Sequence, residues 1–202
     1  MKDSFKTIAA PSEGLFKDKG SKFFSFAFPV SNEIEIKEIL EATRKKYHDA
    51  RHHCFAWMLG EEKLHFRVSD DGEPSNSAGK PILGQIQAKD LSNVIIIVVR
   101  YFGGTLLGVG GLIQAYKAAA KEALEATHII DKYIYRIYQF HFRYEEMNSV
   151  MKVLKDMQLD QFDQVFEMEC SLNVKVKRSV HEKFEKSFEL NQNIELKYIR
   201  EE

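Results

Sequence analysis

The sequence has 202 residues, of which 44% are hydrophobic and 29% charged, and its formal net charge is −1. These values are typical of a soluble globular protein and allow one large domain or two small ones. They exclude a generally basic nucleic-acid-binding chain, although a local basic patch is compatible with them.

Cysteine content and hydropathy narrow the class of protein further. Cys54 and Cys170 are too few and too far apart to predict a disulfide framework or a zinc site. The sequence contains neither a signal-peptide pattern nor an apolar run of membrane length. We therefore expect a cytoplasmic protein with no membrane partner, and the pattern predicts no cofactor and no metal.

The amino-terminal part predicts an α+β arrangement. Ser31 and Asn32 are good helix caps, and the apolar residues after them repeat at helical spacing up to Tyr47. Gly60 begins a turn between two strands, and the β-branched run Val94–Val99 predicts a fully buried strand. The predicted strands are Phe5–Ala10, Lys22–Val30, His52–Leu59, Leu64–Val68 and Val94–Val99; the predicted helices are Ile34–Tyr47, Pro81–Ala88 and Leu112 to about Thr127, with a polar loop over Ser69–Lys80.

A second pattern begins after Thr127 and has the order β-α-β-β-α-β, which is that of a ferredoxin-like sandwich. Its predicted elements are a strand Tyr133–Tyr144, a helix Glu145–Met157, strands Phe162–Glu169 and Leu172–Lys177 with Cys170 and Ser171 around their turn, a helix Val180–Leu190 and a strand through Ile199. We therefore predict two domains, residues 1–130 and 131–202. The aromatic residues Tyr133, Tyr135, Phe140, Phe142 and Tyr144 can suggest a base-stacking platform, but we expect them in the core.

The most unusual stretch follows the buried strand. After Arg100 and Tyr101, five glycines crowd before a helical pattern: Gly103, Gly104, Gly108, Gly110 and Gly111. Glycines let other groups approach the backbone, and the first N–H groups of a helix have no internal partner, so the stretch predicts a binding place for a phosphate or a carboxylate. It matches neither the dinucleotide nor the Walker pattern. The alternative is a tight packing turn between helix and sheet.

A second candidate lies at the start of the strand His52–Leu59, where alternate residues share a face. His52 and Cys54 point one way and His53 the other, so Cys54 and His52 can form a nucleophile and its base. The alternative is a buried structural thiol beside a hydrogen-bonded histidine, which is the commoner case.

The loop Ser69–Lys80 is the third candidate. Asp70, Asp71 and Glu73 can hold a cation or accept hydrogen bonds from arginines, although their spacing is not that of a calcium loop. Ser77 and Lys80 match Ser-x-x-Lys, but the companion elements of acyl-enzyme chemistry are absent from the sequence. The alternative is a loop whose Asp-Gly and Glu-Pro pairs form turns.

Four ordered motifs resemble those of the Impact family and its bacterial YigZ-like branch. They are ARHHCFA at 50–56, SDDGEP at 69–74, AGKP at 78–81, and RYFGG at 100–104 continuing through LGVGGL at 107–112 to Ala115 and Tyr116; KGSKF at 19–23 resembles a further amino-terminal element. The resemblance implies a first domain like the second domain of small-subunit ribosomal protein five, and a ferredoxin-like second domain like the last domain of elongation factor G. It also implies a link to translation and carries over no enzymatic activity.

The same resemblance implies which residues form the binding surface. They are Arg51, His52, Cys54, Asp70, Asp71, Glu73, Lys80, Arg100, Tyr101, Gly103, Gly104, Gly108, Gly110, Gly111 and Tyr116. Two departures stand out. Asn76-Ser77 replaces a more typical Gly-Thr, and Gln114 replaces a common cation.

Three hypotheses follow for the function. The first is a non-enzymatic cytosolic protein that binds RNA or the ribosome, with Arg51, Lys80 and Arg100 as the cations around a phosphate. The second is an enzyme acting on a small phosphorylated or acidic metabolite, with a divalent metal on Asp70 to Glu73 and His52 as base. The third is an adaptor that binds only protein.

Overall fold

A computed structural model describes residues 3–202, which divide into an amino-terminal unit, Phe5–Lys132, and a carboxy-terminal unit, Tyr133–Glu202 with residues 3 and 4. Both units mix helices and antiparallel strands. The prediction of a two-domain α+β protein is confirmed. Of the helices in residues 3–202, none combines the length and the apolar composition that crossing a membrane requires.

The amino-terminal unit is built on a five-stranded sheet with the order β2-β3-β6-β4-β5, and a two-stranded sheet pairs β1 with β7. The elements are β1 Ser4–Ile8, β2 Ser12–Asp18, β3 Ser21–Pro29, α1 Glu33–Lys46, β4 His52–Leu59, β5 His65–Ser69, α2 Gly79–Ala88, β6 Val94–Tyr101, α3 Gly108–Glu125 and β7 Ile129–Tyr133. Helix α1 begins as predicted, because the Asn32 side chain accepts hydrogen bonds from the backbone N–H groups of Ile34 and Glu35.

Strand β6 is central and buried on both faces, as its apolar run predicts. Ile95 and Ile97 pack in the cluster that contains α1, whereas Ile96 and Val98 pack in the cluster that contains α2 and α3. Each such side chain contributes about 1.5–3 kcal/mol when fully buried. This double burial fixes the register of the strand, and with it the direction in which each residue at its end points.

The carboxy-terminal unit has one four-stranded sheet with the order β11-β8-β10-β9. Its elements are β8 Tyr135–Arg143, α4 Met147–Asp156, β9 Asp160–Phe166, β10 Glu169–Lys177, α5 His181–Lys186 and β11 Ile194–Glu201. The first strand of the unit lies between the third and the fourth, which is the ferredoxin-like arrangement that the element order predicts. Phe140, Leu172, Val150 and Phe184 lie in its core.

Several predicted bounds in the amino-terminal unit need correction. Strand β2 was not predicted, because Ser12–Asp18 mixes polar residues with a glycine and has low β-propensity. Helix α3 begins at Gly108, four residues before Leu112, because packing of its apolar face overrides the low helix propensity of glycine.

The carboxy-terminal unit differs from its prediction in three places. The long strand Tyr133–Tyr144 is interrupted at Ile134, and Cys170 and Ser171 lie inside β10 because the chain turns earlier, after Phe166. The helix predicted over Val180–Leu190 is the shorter α5. Of the aromatic residues, Phe140 and Phe142 lie in the core as expected, whereas Tyr133 and Tyr144 are exposed.

Candidate functional site

Three neighbouring strands bring candidate side chains together at one end of the five-stranded sheet. Strand β6 pairs Arg100 with Phe23 of β3 on one side and with His52 of β4 on the other. Because alternate residues of a strand share a face, Arg100 lies with Val98 on the side covered by α2 and α3. Tyr101 points to the opposite side.

Arg100 is buried and paired with Glu73 from the loop between β5 and α2. Its Nη1 lies 2.6 Å from Oε1 of Glu73, and the two side chains are 7% and 4% exposed. The guanidinium carbon lies 5.5 Å from the ring centre of Phe23 and 5.8 Å from that of Phe102, which adds cation–π attraction. Arg100 therefore has the partner that a buried cation needs, and its charge is matched within the protein.

A hydrogen-bond chain continues from this ion pair into the core. The Tyr116 hydroxyl donates to Oε1 of Glu73 at 2.8 Å, and the Cys54 thiol lies 3.3 Å from the Tyr116 oxygen and 2.9 Å from the carbonyl oxygen of Asp70. Burial raises the pKa of the Cys54 thiol and that of the Tyr116 hydroxyl far above their ordinary values. Both groups therefore stay protonated and act as structural donors.

The Cys–His pair does not have the geometry of a nucleophile and its base. Cys54 is fully buried. Nδ1 of His52 lies 2.8 Å from the carbonyl oxygen of Asp71, which can only accept, so Nδ1 carries a hydrogen. The predicted division of faces is confirmed, since His53 contacts the carbonyl oxygen of Tyr47 on the α1 side.

Asp70 caps helix α2 from the loop that precedes it. One carboxylate oxygen accepts hydrogen bonds from the N–H groups of Ala78 and Gly79 at 2.9 and 2.8 Å, and the other accepts from that of Asn76 at 2.8 Å. These N–H groups include donors at the helix start that would otherwise lack partners. This cap could not be predicted from local sequence, because Asp70 lies eight residues before Ala78.

Asp71 is also occupied within the protein. Its carboxylate accepts from the backbone N–H of His53 at 2.6 Å and from Arg44 at 3.1 Å. Asp71 and Gly72 have positive φ, and the N–H of Glu73 closes the turn on the Asp70 carbonyl at 2.9 Å. No three His, Cys, Asp or Glu side chains in residues 3–202 form a group that could hold a metal ion. The loop therefore organises the fold instead of presenting three carboxylates to a cation.

Three further candidates lie outside the pocket described next. Ser77 is buried and its hydroxyl donates to the Pro74 carbonyl at 2.6 Å, so it does not form an accessible pair with the exposed Lys80. Tyr101 donates to Asp49 at 2.6 Å, and this hydrogen bond raises the pKa of Tyr101 to about 12.

A pocket of about 440 Å³ opens above the buried ion pair. Its rim is largely apolar and well exposed, since Leu106 is 83% and Phe102 and Val109 are each 52% exposed. It is lined by Arg51, His52, Glu73, Pro74, Arg100, Phe102, Leu106, Leu107, Gly108, Val109 and Leu112. The apolar part was not predicted; its only sign in the sequence is Phe102, an aromatic residue directly before the glycines. Of the three cations expected there, only Arg51 is exposed at the pocket.

The start of α3 forms one wall of this pocket and is open. Among residues 3–202 no side chain caps it, and its first turn has no acidic residue. The N–H groups of residues 108–110 therefore lack both an intrahelical partner and a side-chain cap. Leu107, which precedes them, is partly buried against the core.

The five glycines of this stretch serve different purposes. A Cβ on Gly111 would lie 3.0 Å from Cβ of Leu107, which is a tight contact. A Cβ on Gly103 would lie 1.9 Å from the carbonyl carbon of Gly20, so two backbones touch there. Gly104 and Gly108 have φ of +86° and +69°, which suit glycine. Gly110 has neither constraint, because nothing lies within 4 Å of its added Cβ. Close packing therefore explains why position 103 requires glycine, whereas neither packing nor backbone conformation requires glycine at position 110.

The fold and this site define a two-unit α+β protein whose amino-terminal unit presents a helix start beside a pocket. Residues 19–124 match the family model of the Impact N-terminal domain, and the chain belongs to the Impact family. It is 33% identical over 154 residues to the Impact family member YigZ of Escherichia coli K12, covering 75% of this chain and 76% of that protein. It is 31% identical over 188 residues to YvyE of Bacillus subtilis 168, covering 93% and 85%.

One solved structure is similar over both units. It is described as the crystal structure of a hypothetical protein, has 27% sequence identity and a TM-score of 0.71, and each chain is covered to 99%.

Proposed function

We propose that this protein is a non-enzymatic, translation-associated protein that binds RNA, free or on the ribosome, at the start of α3. The family supports the link to translation, because the resemblance to Impact proteins implies domains that recur in the translation machinery. The observation that carries the RNA part is the open first turn of α3 beside an exposed cation and an exposed aromatic ring.

The phosphate and the base of one nucleotide each have a matching group at this site. The uncapped N–H groups of residues 108–110 suit a phosphate, as does the positive end of the α3 dipole. Arg51 is exposed at the same pocket and can add a charge-assisted hydrogen bond. Phe102 is half-exposed and offers a face on which a base can stack.

The geometry favours binding over catalysis. Asp70, Asp71 and Glu73 each accept hydrogen bonds from other groups of the protein, which leaves them poor candidates for a shared divalent metal. The Cys54 thiol is buried and protonated. A metabolite enzyme using the acidic loop and His52 would need these groups released from their present partners.

The apolar rim favours a second candidate function, that of a protein-only adaptor. Leu106 and Val109 expose apolar surface that RNA would not need, and such surface often marks a protein interface. The two functions differ in their dependence on salt, because phosphate contacts release counterions and apolar contacts do not.

The test is co-sedimentation with ribosomes and fluorescence anisotropy with labelled single-stranded and double-stranded RNA, each across a salt series. Arg51→Ala removes the exposed cation of the pocket, and Phe102→Leu removes the aromatic face. Lys37→Ala is the matched control, since it removes one positive charge from α1 on the opposite face of the sheet. Arg100 is unsuitable as a probe, because its substitution would leave Glu73 buried without its cation.

We expect Arg51→Ala to weaken RNA binding and to lower the salt slope by about 0.7 on single-stranded RNA, as one lost phosphate contact requires. Phe102→Leu should weaken binding with little change in slope, and Lys37→Ala should change neither. Two outcomes would contradict RNA binding at this site. One is that the protein does not bind RNA, and the other is that Arg51→Ala and Phe102→Leu change the binding no more than Lys37→Ala does. Salt-insensitive capture on ribosomes would favour the adaptor function.

A further inference from the structure

The carboxy-terminal unit carries a second surface, at the end of its sheet where β9 turns into β10. Two grooves of about 880 and 540 Å³ adjoin there and share Arg143, Glu167 and Glu169. We propose that this hairpin-end surface binds a cationic, amphipathic segment of a partner protein, meaning a stretch with lysines or arginines and large apolar side chains. The proposal does not depend on RNA binding by the amino-terminal unit.

The first groove is apolar and its large side chains are exposed. Met168 is 88%, Tyr144 64% and Phe166 46% exposed. The N–H of Tyr144 donates to the Met168 carbonyl at 3.2 Å, which ties the end of β8 to the β9–β10 turn. Clustered exposed apolar side chains mark an interaction surface, and methionine adapts its shape to a partner.

The second feature is an excess of free carboxylates around these apolar side chains. Glu145, Glu167, Glu169 and Glu195 are exposed and line the grooves, and none of them takes part in a salt bridge within residues 3–202. Arg143 is the only arginine or lysine among the lining residues described. Since the whole chain has a net charge of −1, this surface is much more acidic than the average.

A neighbouring carboxylate shows the difference between a structural and a free acid. Glu146 accepts hydrogen bonds from the side-chain amides of Asn191 and Asn193 at 2.8 and 3.2 Å, and so anchors the chain before β11. Glu145, next to it in sequence, is exposed at the first groove. This end of the sheet therefore carries more carboxylates than the fold needs for its own hydrogen bonds.

Charge complementarity selects the partner. Nucleic acid and anionic lipid would be repelled by the four carboxylates. A second copy of this chain would place the same acidic surface against itself in a two-fold contact, which is also repulsive. A cationic segment gains from both features, because its charged groups meet the carboxylates while its apolar side chains cover Met168, Phe166 and Tyr144.

The test uses the full chain and three labelled ten-residue peptides in fluorescence anisotropy. The first peptide alternates Lys with Leu, the second alternates Lys with Ser, and the third alternates Glu with Leu. We expect the Lys-Leu peptide to bind most tightly and the Glu-Leu peptide not to bind. Binding should weaken as salt rises, because the charges involved are exposed.

Two pairs of variants place the binding on this surface. Glu167→Lys combined with Glu169→Lys should weaken the Lys-Leu peptide about tenfold, whereas the same reversal at the exposed Glu182 and Glu189 should not. Met168→Ser should weaken it severalfold, while Leu190→Ser, at a residue that is 95% exposed, should leave it unchanged.

Several results would overturn the proposal. Equal binding of the Lys-Leu and Lys-Ser peptides would show that the peptides bind through unspecific charge attraction alone. Equal effects of the test and control variants would place the binding elsewhere. Self-association that Met168→Ser abolishes, measured by sedimentation velocity without peptide, would assign the surface to a second copy.

Discussion

The acidic loop, Ser69–Lys80, and the glycine-rich turn, Phe102–Gly111, border the same pocket and use their polar groups in opposite ways. The carboxylates of the loop all accept hydrogen bonds from within the protein. The turn leads into a helix whose first N–H groups have no side-chain cap. The charged motif therefore builds the fold, whereas the uncharged motif leaves uncapped backbone donors, and these are the donors to which we propose that RNA binds.

The largest effect expected from this comparison is that of Glu73→Ala. It leaves Arg100 buried without its partner, so the free energy of unfolding should fall by about 3–5 kcal/mol in urea titrations. Glu73→Gln keeps an acceptor for Arg100, so its free energy of unfolding should fall by less than that of Glu73→Ala. Glu125→Ala breaks an exposed ion pair with Lys121 and is the control, with a loss below about 0.5 kcal/mol. Similar losses for Glu73→Ala and Glu125→Ala would show that the buried pair is not structural.

Gly103→Ala tests the packing role of one glycine of the turn. Its Cβ would lie 1.9 Å from the Gly20 carbonyl carbon and 2.1 Å from the Ser21 nitrogen, and these backbone atoms cannot move aside independently. We expect a loss of about 1–3 kcal/mol in the free energy of unfolding. Gly84→Ala, where nothing lies within 4 Å of the added Cβ in helix α2, should instead stabilise the protein. A neutral Gly103→Ala would contradict the close backbone contact.

Asp70→Ala removes the acceptor for three backbone N–H groups, two at the start of α2 and one in the loop before it. We expect the free energy of unfolding to fall by about 2 kcal/mol, at the upper end for helix caps. Asp70→Asn should lose less stability than Asp70→Ala, because one side-chain oxygen remains as an acceptor. The exposed Asp131 gives the control, Asp131→Ala, which should change little. An unchanged stability of Asp70→Ala would mean that its carboxylate is free to bind a ligand after all.

The smallest effect concerns Asn76, which has φ of +63°. Asparagine tolerates this conformation and alanine does not, so Asn76→Ala should cost about 1 kcal/mol. Asn76→Gly introduces a residue that also tolerates this conformation and should change stability by less than about 0.5 kcal/mol, since glycine also adds entropy to the unfolded chain. Thermal unfolding of both variants and the parent protein measures this difference. Equal destabilisation by alanine and glycine would show that the positive φ of residue 76 is not the cause.

Local sequence patterns predicted the framework of the fold well. The bounds of β4 match the prediction, and the burial of β6 on both faces follows from its apolar run. The Asn32 cap and the β-α-β-β-α-β order are also local patterns, and both are confirmed. These features depend on periodicity and capping, which a short window of sequence contains.

The roles of the candidate site residues could not be predicted in the same way, because their partners are distant in sequence. Glu73 meets Arg100 across 27 positions and Tyr116 across 43. The sequence left open whether Asp70, Asp71 and Glu73 hold a cation or accept hydrogen bonds from arginines. The turn at Asp71 and Gly72 sends the three carboxylates to different partners, and two of these partners are arginines. A carboxylate count in sequence thus says little about which oxygens a ligand can reach.

The central claim is that the first turn of α3 is kept open for RNA, and Gly110→Ala tests it most directly. Nothing lies within 4 Å of the added Cβ, and alanine is the better helix former, so the variant should be as stable as the parent in urea or more stable. The variant keeps the backbone N–H, so its effect is steric: if RNA phosphate approaches this turn closely, the added methyl group should hold it away from the N–H groups. The affinity for RNA should then fall roughly tenfold, as expected for losing a hydrogen bond to a charged group. Unchanged RNA affinity in a stable Gly110→Ala protein would contradict the account.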